Sequence, residues 1–441
     1  MKFDFIKNKF FKTGIWNVVG NFFVKGSNLI FSLYFASVMT QAEFGKTSTF
    51  MAYATILSVI LGLNLCSSLN NAKIEFASDY EGYKSSTLFF SLLSFLAFAL
   101  LGLVFMEPLS ALLKMSLTSY ILLIIYSASL YVLMFFQAAN ITQFNYKGNL
   151  AASAFNIFVG FILALLLIFV FMPDDKVVAK ELGITVPLVL LAGFIIIKTF
   201  VKGKKFVNTR YWRFAAAIAL PNIAHTLAQD ILSQSDRIFI QQICGFEDVG
   251  VYSLIHYFGL CMNLLWSGIN GVWVPWLFGR LAEGNTRSII KNSRRYLWSF
   301  SAITVLMCVV VPPVIKFIMP PEYISGVTIV MPIILAGYFM CVYSFMANLE
   351  FYHKKNAYIA IGTLAAALCN IILNSIFVNL FGFEAAAYTT LVSYALLFLF
   401  HYVVVHFVLK INIYKMREIF LNILLTCTLC AAVSILWMSI L

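Results

Sequence analysis

Long apolar stretches alternate with short polar gaps along the whole chain. Thirteen of these stretches reach the roughly 20 mostly apolar residues that a helix needs to cross a bilayer. The pattern therefore predicts an all-α polytopic membrane protein with about 13 transmembrane helices. The predicted spans are 14–39, 47–72, 86–106, 119–143, 150–172, 182–200, 214–240, 249–278, 296–318, 324–349, 357–380, 385–408 and 419–441.

The basic residues between these spans are distributed unevenly. If the N-terminus lies in the cytoplasm, 23 of the 30 Lys and Arg residues fall in cytoplasmic segments. Only five fall in the opposite loops, namely Lys46, Lys114, Lys176, Lys180 and Lys316. Cytoplasmic loops are enriched in Lys and Arg, so this asymmetry predicts a multi-pass membrane protein with a cytoplasmic N-terminus. The odd number of spans places the C-terminus outside.

Composition supports a membrane environment. Of the 441 residues 62% are apolar and 11% are charged, whereas soluble domains carry about a quarter charged residues. These values exclude a soluble enzyme and a disordered chain. The net charge of +12 is better explained by lipid headgroups and orientation than by nucleic acid, because the basic residues form no patch on a soluble face.

Sequence motifs for chemistry are lacking. The chain has no phosphate-binding Gly-rich loop, no His-Glu-x-x-His and no Gly-x-Ser-x-Gly. His401 and His406 lie five residues apart, off a common helix face, and Cys427 and Cys430 lie among apolar neighbours. Glu350 ends a predicted span, where we expect it to be solvated. The sequence predicts no enzyme, no cofactor and no metal.

Two short segments recur at a nearly constant offset. Glu43-Phe44-Gly45 follows the first span and Asp248-Val249-Gly250 follows the seventh, and the two glycines are 205 positions apart. A second pair, around Gly148 and Lys355, recurs at an offset of 207 and at the corresponding position. We interpret this as a duplicated six-helix unit, which predicts two six-helix bundles related by a pseudo-twofold axis along the membrane normal. The predicted organisation is an N-terminal lobe 1–200, a basic cytoplasmic linker 201–213, a C-terminal lobe 214–410 and an additional helix 411–441.

Several ionisable residues lie inside predicted spans, where charge is costly and usually faces a bundle interior or a water-filled cavity. Lys25, Asp230 and Arg237 are candidates for a substrate-binding lumen. Asp230, Asp236 and His225 are candidates for proton coupling. At the repeat offset Lys25 corresponds to Asp230, so the two are expected to face each other across a central cleft. A static buried pair is the alternative for Lys25 and Asp230, and a local structural pair is favoured for Asp236 and Arg237.

Several motifs resemble the Wzx-type polysaccharide flippases for O-antigen, capsule and exopolysaccharide units. That family belongs to the multidrug/oligosaccharidyl-lipid/polysaccharide (MOP) exporter superfamily. The similarity covers roughly the first twelve spans. The residues that carry it are Glu43-Phe44-Gly45, Ser235-Asp236-Arg237-Ile238, Glu247 to Ser253, Pro321-Glu322-Tyr323 and Gly382 to Ala387. Ala385 stands where the family usually has Gly, and a thirteenth helix is unusual in a family with even helix numbers.

The resemblance implies a MATE-like fold, a location in the bacterial inner membrane and a substrate. The substrate would be an oligosaccharide repeat unit on polyprenyl pyrophosphate, moved from the cytoplasmic to the outer leaflet by alternating access. Lys25 and Arg237 would attract its anionic groups. The implied partners are this lipid-linked oligosaccharide, bilayer lipids, a polysaccharide polymerase and a chain-length regulator, and no nucleic acid.

Two alternative functions remain. A cation-coupled multidrug exporter of the same superfamily would carry a buried acid in its N-terminal lobe. Acidic residues of that lobe lie in loops or at span ends, as Glu43, Glu75 and Glu107 do, which disfavours this function. A membrane polysaccharide polymerase or ligase would need a larger outer loop than those near 107–118 and 173–181.

Overall fold

The computed structural model describes residue 20, residues 22–24 and residues 26–440. These residues are almost entirely helical, and no strand occurs among them. The predicted all-α class is therefore confirmed. The helices are α1 26–38, α2 Gln41–Leu61, α3 Leu69–Glu75, α4 Tyr80–Val104, α5 Met106–Leu112, α6 Leu117–Thr142, α7 Tyr146–Leu166, α8 Lys176–Gly203, α9 Thr209–Ile243, α10 Phe246–Ala282, α11 Thr286–Ile318, α12 Val330–Tyr352, α13 Asn356–Phe381, α14 Glu384–Val403 and α15 Met416–Ile440.

Short irregular helical turns extend several of these elements. Three-ten helices cover Leu65–Ser68, Ala77–Asp79 and Pro321–Ile329, and π-helical turns cover Leu167–Phe171 and Val404–Val408. In the described part of the chain, eleven helices are long and apolar enough to cross a membrane. They match eleven of the thirteen predicted spans.

The other two predicted spans differ from these eleven. Span 214–240 lies within α9, a continuous helix of 35 residues that contains Pro221 and is less apolar than the others. Span 14–39 overlaps α1, but its first residues lie outside the part that the structure describes.

One predicted boundary was wrong. The span expected to run from 47 to 72 ends at Leu61 in the structure. Leu63 and Asn64 adopt left-handed backbone angles, with φ of 53° and 46°, which stop an α-helix. A Cβ on the preceding Gly62 would lie 2.2 Å from the ring of Tyr131, so glycine lets the chain turn against that ring.

The chain forms two compact units. One comprises Lys46–Gln234, and the other comprises the described residues up to Gly45 together with those from Ser235 onward. This grouping reflects proximity between residues, and the predicted lobe and linker boundaries stay a prediction.

In the Lys46–Gln234 unit, α8 packs against α4, α6 and α7. Gly183 of α8 meets α7 so closely that a Cβ there would lie 2.3 Å from the Cα of Ala164. Small residues at such crossings let membrane helices approach within van der Waals contact.

In the second unit, α12 packs against α10 and α14, α13 against α14, and α11 against α15. The two repeat glycines meet here at the start of α2 and of α10. A Cβ on Gly45 would lie 1.9 Å from the carbonyl oxygen of Phe246, and one on Gly250 would lie 2.2 Å from that of Gln41. The repeated motif thus marks a reciprocal contact between equivalent helix starts, which only glycine permits at this spacing.

Candidate functional site

Asp236, near the end of α9, is a buried acidic residue with several hydrogen bonds. Its side chain is 1% exposed and accepts three hydrogen bonds from three other helices. Asn374 Nδ2 of α13 donates to Oδ1 at 2.7 Å, and Thr390 Oγ1 of α14 donates to Oδ2 at 2.7 Å. The hydroxyl of Tyr252 of α10 also donates to Oδ2. Three donors on one carboxylate hold the charge in a low-dielectric interior.

A second layer of amides and hydroxyls connects these donors. Asn370 Oδ1 accepts from Ser235 Oγ at 2.7 Å and from Asn374 Nδ2 at 3.1 Å. Asn370 Nδ2 donates to Thr390 Oγ1 at 3.0 Å, and Thr389 donates to the side-chain oxygen of Asn374. We call Asp236 together with Ser235, Tyr252, Asn370, Asn374, Thr389 and Thr390 the Asp236 network. It joins α9, α10, α13 and α14 within one unit.

Asp236 was identifiable from the sequence as a candidate, whereas its amide partners were not predicted. Asn370 and Asn374 are four residues apart on α13, so they lie on one helix face. Two amides on one face of an otherwise apolar helix require polar partners, because lipid offers none. That spacing was the available signal, but it could not identify Asp236 as the partner.

Arg237 is buried next to Asp236. The residue is 5% exposed, and its Nε donates to Ser253 Oγ of α10 at 3.1 Å. Both adjacent residues thus bond to α10, Asp236 through Tyr252 and Arg237 through Ser253. Whether Arg237 contacts a substrate stays a prediction.

The remaining predicted site residues fall outside this network. His225 and Asp230 are half-buried on the part of α9 that belongs to the other unit. Among the described residues, neither the carboxylate of Asp230 nor Nδ1 of His225 has a hydrogen-bond partner. Lys25 lies outside the described residues, so its expected pairing with Asp230 stays a prediction.

Two expectations about other ionisable residues were wrong. Glu350, expected to be solvated, is 0% exposed, and its Oε1 lies 2.8 Å from Nδ1 of the equally buried His401 of α14. These residues are 51 positions apart in sequence, so the pair exists only because α12 packs on α14. Lys180, expected in a loop, is buried in α8 and donates to Thr47 Oγ1 at 2.8 Å. Its neighbour Glu181 is also buried and accepts from Ser119 Oγ at 2.6 Å.

The side chains of the Asp236 network are suited to binding a proton or a small cation. Among the described residues, no cluster of three or more His, Cys, Asp or Glu side chains is arranged to hold a metal ion. The Asp236 network instead presents one carboxylate among amide and hydroxyl oxygens. Such a set can hold a proton on the carboxylate, and oxygen ligands also suit small hard cations.

Known proteins with similar folds are membrane transporters. The lipid II flippase MurJ in an inward closed conformation has a TM-score of 0.70 and 17% identity, with 97% of this chain and 98% of that chain covered. An inward-facing multidrug resistance MATE transporter of the MOP superfamily has a TM-score of 0.60 and 13% identity, covering 96% and 95%. The Vibrio cholerae MATE transporter VcmN in its bent form has a TM-score of 0.57 and 12% identity, covering 95% and 97%. These likenesses confirm the predicted two-lobe helical transporter fold.

A curated relative adds little about function. An uncharacterised membrane protein of Haemophilus influenzae (strain ATCC 51907 / DSM 11121 / KW20 / Rd) is 24% identical over 226 residues, which cover 48% of this chain and 52% of the relative. The chain therefore spans about half the length of that relative.

The family assignment rests on a longer match. Residues 10–279 match the family described as polysaccharide biosynthesis protein, and this segment contains the motifs Glu43-Phe44-Gly45 and Ser235 to Ile238 on which the predicted resemblance depends. The match covers more than half of the chain, which therefore belongs to the polysaccharide biosynthesis protein family.

Proposed function

We propose that this protein is a flippase that moves lipid-linked oligosaccharide repeat units from the cytoplasmic to the outer leaflet for surface polysaccharide biosynthesis. The observation that carries the proposal is the joint result of the two comparisons. The family is one of polysaccharide biosynthesis, and the fold matches a lipid II flippase over 97% of this chain. A transport protein that serves polysaccharide synthesis must move a saccharide or its lipid carrier.

The proposed substrate is an oligosaccharide on polyprenyl pyrophosphate, and Lys25 and Arg237 are the proposed contacts for its anionic groups. A pyrophosphate favours cations that also donate hydrogen bonds, and Arg supplies both. Arg237 is buried against Ser253 in this conformation, so its role requires the helices around it to part. In the proposed orientation the N-terminus lies on the cytoplasmic side of the inner membrane. The substrate then enters the protein from the side on which it is synthesised.

The Asp236 network is the proposed coupling element. A proton on Asp236 would convert an acceptor of three hydrogen bonds into a group that must itself donate one. The hydroxyls of Tyr252 and Thr390 would then have to reorient, which would change the contacts among α9, α10 and α14. Asp230 and His225 are further candidates, because their side chains lack a partner among the described residues.

A cellular test distinguishes a loss of transport from a loss of folded protein. In a strain that lacks the gene, the wild-type protein should restore surface polysaccharide, and Lys25→Ala should not, although it should insert at wild-type levels. Lipid-linked units should accumulate on the cytoplasmic side with Lys25→Ala. Normal polysaccharide with this variant would refute the role of Lys25, and normal polysaccharide without any copy of the gene would refute the function.

One observation favours multidrug export as a second candidate. Exporters of this superfamily were expected to need a buried acid in the N-terminal half, and Glu181 of α8 is such a residue. Efflux of a cationic dye from cells distinguishes the candidates. Export requires the intact protein to lower dye accumulation, and Glu181→Gln to abolish that effect. A flippase leaves dye accumulation unchanged in both cases.

A further inference from the structure

A small pocket lies between α11 and the start of α15. Its lining includes Arg294 and Trp298 from α11, Tyr414 and Lys415 from the preceding loop, and Glu418 and Asn422 from α15. We call this the α11–α15 pocket. It belongs to a single compact unit and is separate from the Asp236 network.

Two residues that line this pocket carry buried hydrogen-bond donors without partners in the described part of the chain. Asn422 is 1% exposed, and its Oδ1 accepts from Ser301 Oγ at 3.0 Å and from the Tyr338 hydroxyl at 2.6 Å. This pairing leaves Asn422 Nδ2 without a hydrogen-bond partner among the described residues. The Tyr414 hydroxyl likewise has no partner among them. Burial raises the pKa of Tyr414, so its hydroxyl keeps its proton and remains a donor. Unpaired buried donors are costly, so an acceptor bound at this place would stabilise the fold.

The charges at the pocket favour an anionic acceptor. Arg294 and Lys415 are both exposed and provide two cations, against the single acid Glu418. Arg294 Nη1 lies 3.8 Å from Glu418 Oε1, too far for a hydrogen bond, so the guanidinium keeps donors available for another acceptor.

The surroundings of the pocket favour a lipid over a soluble anion. Trp298 is 41% exposed at the pocket, and Trp is enriched at the membrane–water interface. On the same face of α15, Leu425 and Leu429 follow Asn422 by three and seven residues and are exposed. A molecule with an anionic head and apolar chains would satisfy the pocket and cover this surface at the same time.

We infer that the α11–α15 pocket binds the phosphate headgroup of an anionic phospholipid. The phosphate oxygens accept from Asn422 Nδ2 and the Tyr414 hydroxyl, and Arg294 and Lys415 neutralise its charge. The acyl chains lie along the exposed face of α15. This inference rests on local geometry and does not depend on the proposed transport function.

The test compares two double variants with equal charge. Arg294→Gln with Lys415→Gln removes both cations of the pocket. Arg295→Gln with Arg417→Gln removes two exposed cations at adjacent positions that do not line it. All four residues are exposed, so folding should be preserved in both variants. Binding of phosphatidylglycerol to the full chain in detergent is measured by native mass spectrometry, with phosphatidylcholine as the zwitterionic reference.

We expect the pocket variant to weaken binding of the first phosphatidylglycerol about tenfold, because two charge-assisted contacts are lost, and the control variant to bind it like the wild type. Tyr414→Phe should weaken binding less, since it removes one donor and no charge. Equal affinity for phosphatidylcholine, or equal losses in the two double variants, would overturn the inference.

A second probe identifies the source of the phosphate. Farnesyl pyrophosphate, a short polyprenyl pyrophosphate, should displace phosphatidylglycerol from the pocket only at concentrations above those at which phosphatidylglycerol itself binds. If it displaces the phospholipid at lower concentrations, the pocket is a site for the polyprenyl carrier, and the assignment to a phospholipid is wrong.

Discussion

Removal of the Asp236 carboxylate should destabilise the protein in proportion to the hydrogen bonds that are lost. Asp236→Ala deletes the acceptor for Asn374, Thr390 and Tyr252. Hydrogen bonds between membrane helices contribute about 0.6 kcal/mol on average and about 1.7 kcal/mol at most, so the three together predict a loss of about 2 to 5 kcal/mol. The donors left behind are buried, which places the expected value in the upper half of that range.

Asp236→Asn refines the test because it keeps the shape of the side chain. Its carbonyl oxygen can still accept from Asn374, and its new amide can donate to one of the two hydroxyls after they rotate. Thr390 already accepts a hydrogen bond from Asn370, so its contact with the new amide is weakened. We expect a loss of about 1 to 2 kcal/mol, clearly smaller than that of the alanine variant.

The assay is reversible unfolding of the purified protein in mixed micelles, followed by circular dichroism. Asp230→Asn is the matched control on the same helix, because the Asp230 carboxylate has no partner in the described part of the chain. Its stability should stay within about 0.5 kcal/mol of the wild type. Equal losses for Asp236→Asn and Asp236→Ala, or a loss for Asp230→Asn as large as either, would refute the reasoning.

Two further substitutions test packing and a buried pair. Gly45→Ala should lower the melting temperature, since its Cβ would lie 1.9 Å from the backbone oxygen of Phe246, whereas Gly193→Ala, with open space at its Cβ, should leave it unchanged or raise it slightly. Equal shifts in differential scanning fluorimetry would contradict the close contact. Glu350→Ala should destabilise the protein more than Glu350→Gln, because only glutamine can still pair with His401; no difference would show that the pair contributes nothing.

Hydropathy predicted most of the fold because membrane helices depend on local composition. An apolar stretch of sufficient length must be helical in lipid, since its backbone groups have no other partners. The end of α2 was misplaced because the turn at Leu63 and Asn64 interrupts an apolar stretch without a charged residue. The backbone conformation of such a turn depends on contacts, here between Gly62 and Tyr131, which hydropathy does not contain.

The candidate site was predicted less completely because its residues are distant in sequence. Asp236 was identifiable as a costly charge in an apolar span, but its partner Thr390 is 154 positions away. Glu350 at the end of one predicted span and His401 within another appeared to be unrelated until α12 and α14 were seen to pack together. Such pairings depend on helix packing, and no periodicity within a single helix specifies them.

The central claim is that the protein moves a lipid-linked oligosaccharide across a bilayer, and reconstitution tests it most directly. The purified chain is incorporated into liposomes that contain a fluorescent polyprenyl-pyrophosphate oligosaccharide in both leaflets, and a membrane-impermeant quencher is then added. The account predicts that quenching proceeds beyond the outer-leaflet fraction with the wild-type protein and stops at that fraction with Lys25→Ala. Quenching confined to the outer leaflet with the wild-type protein, in vesicles where its folding is verified, would contradict the account.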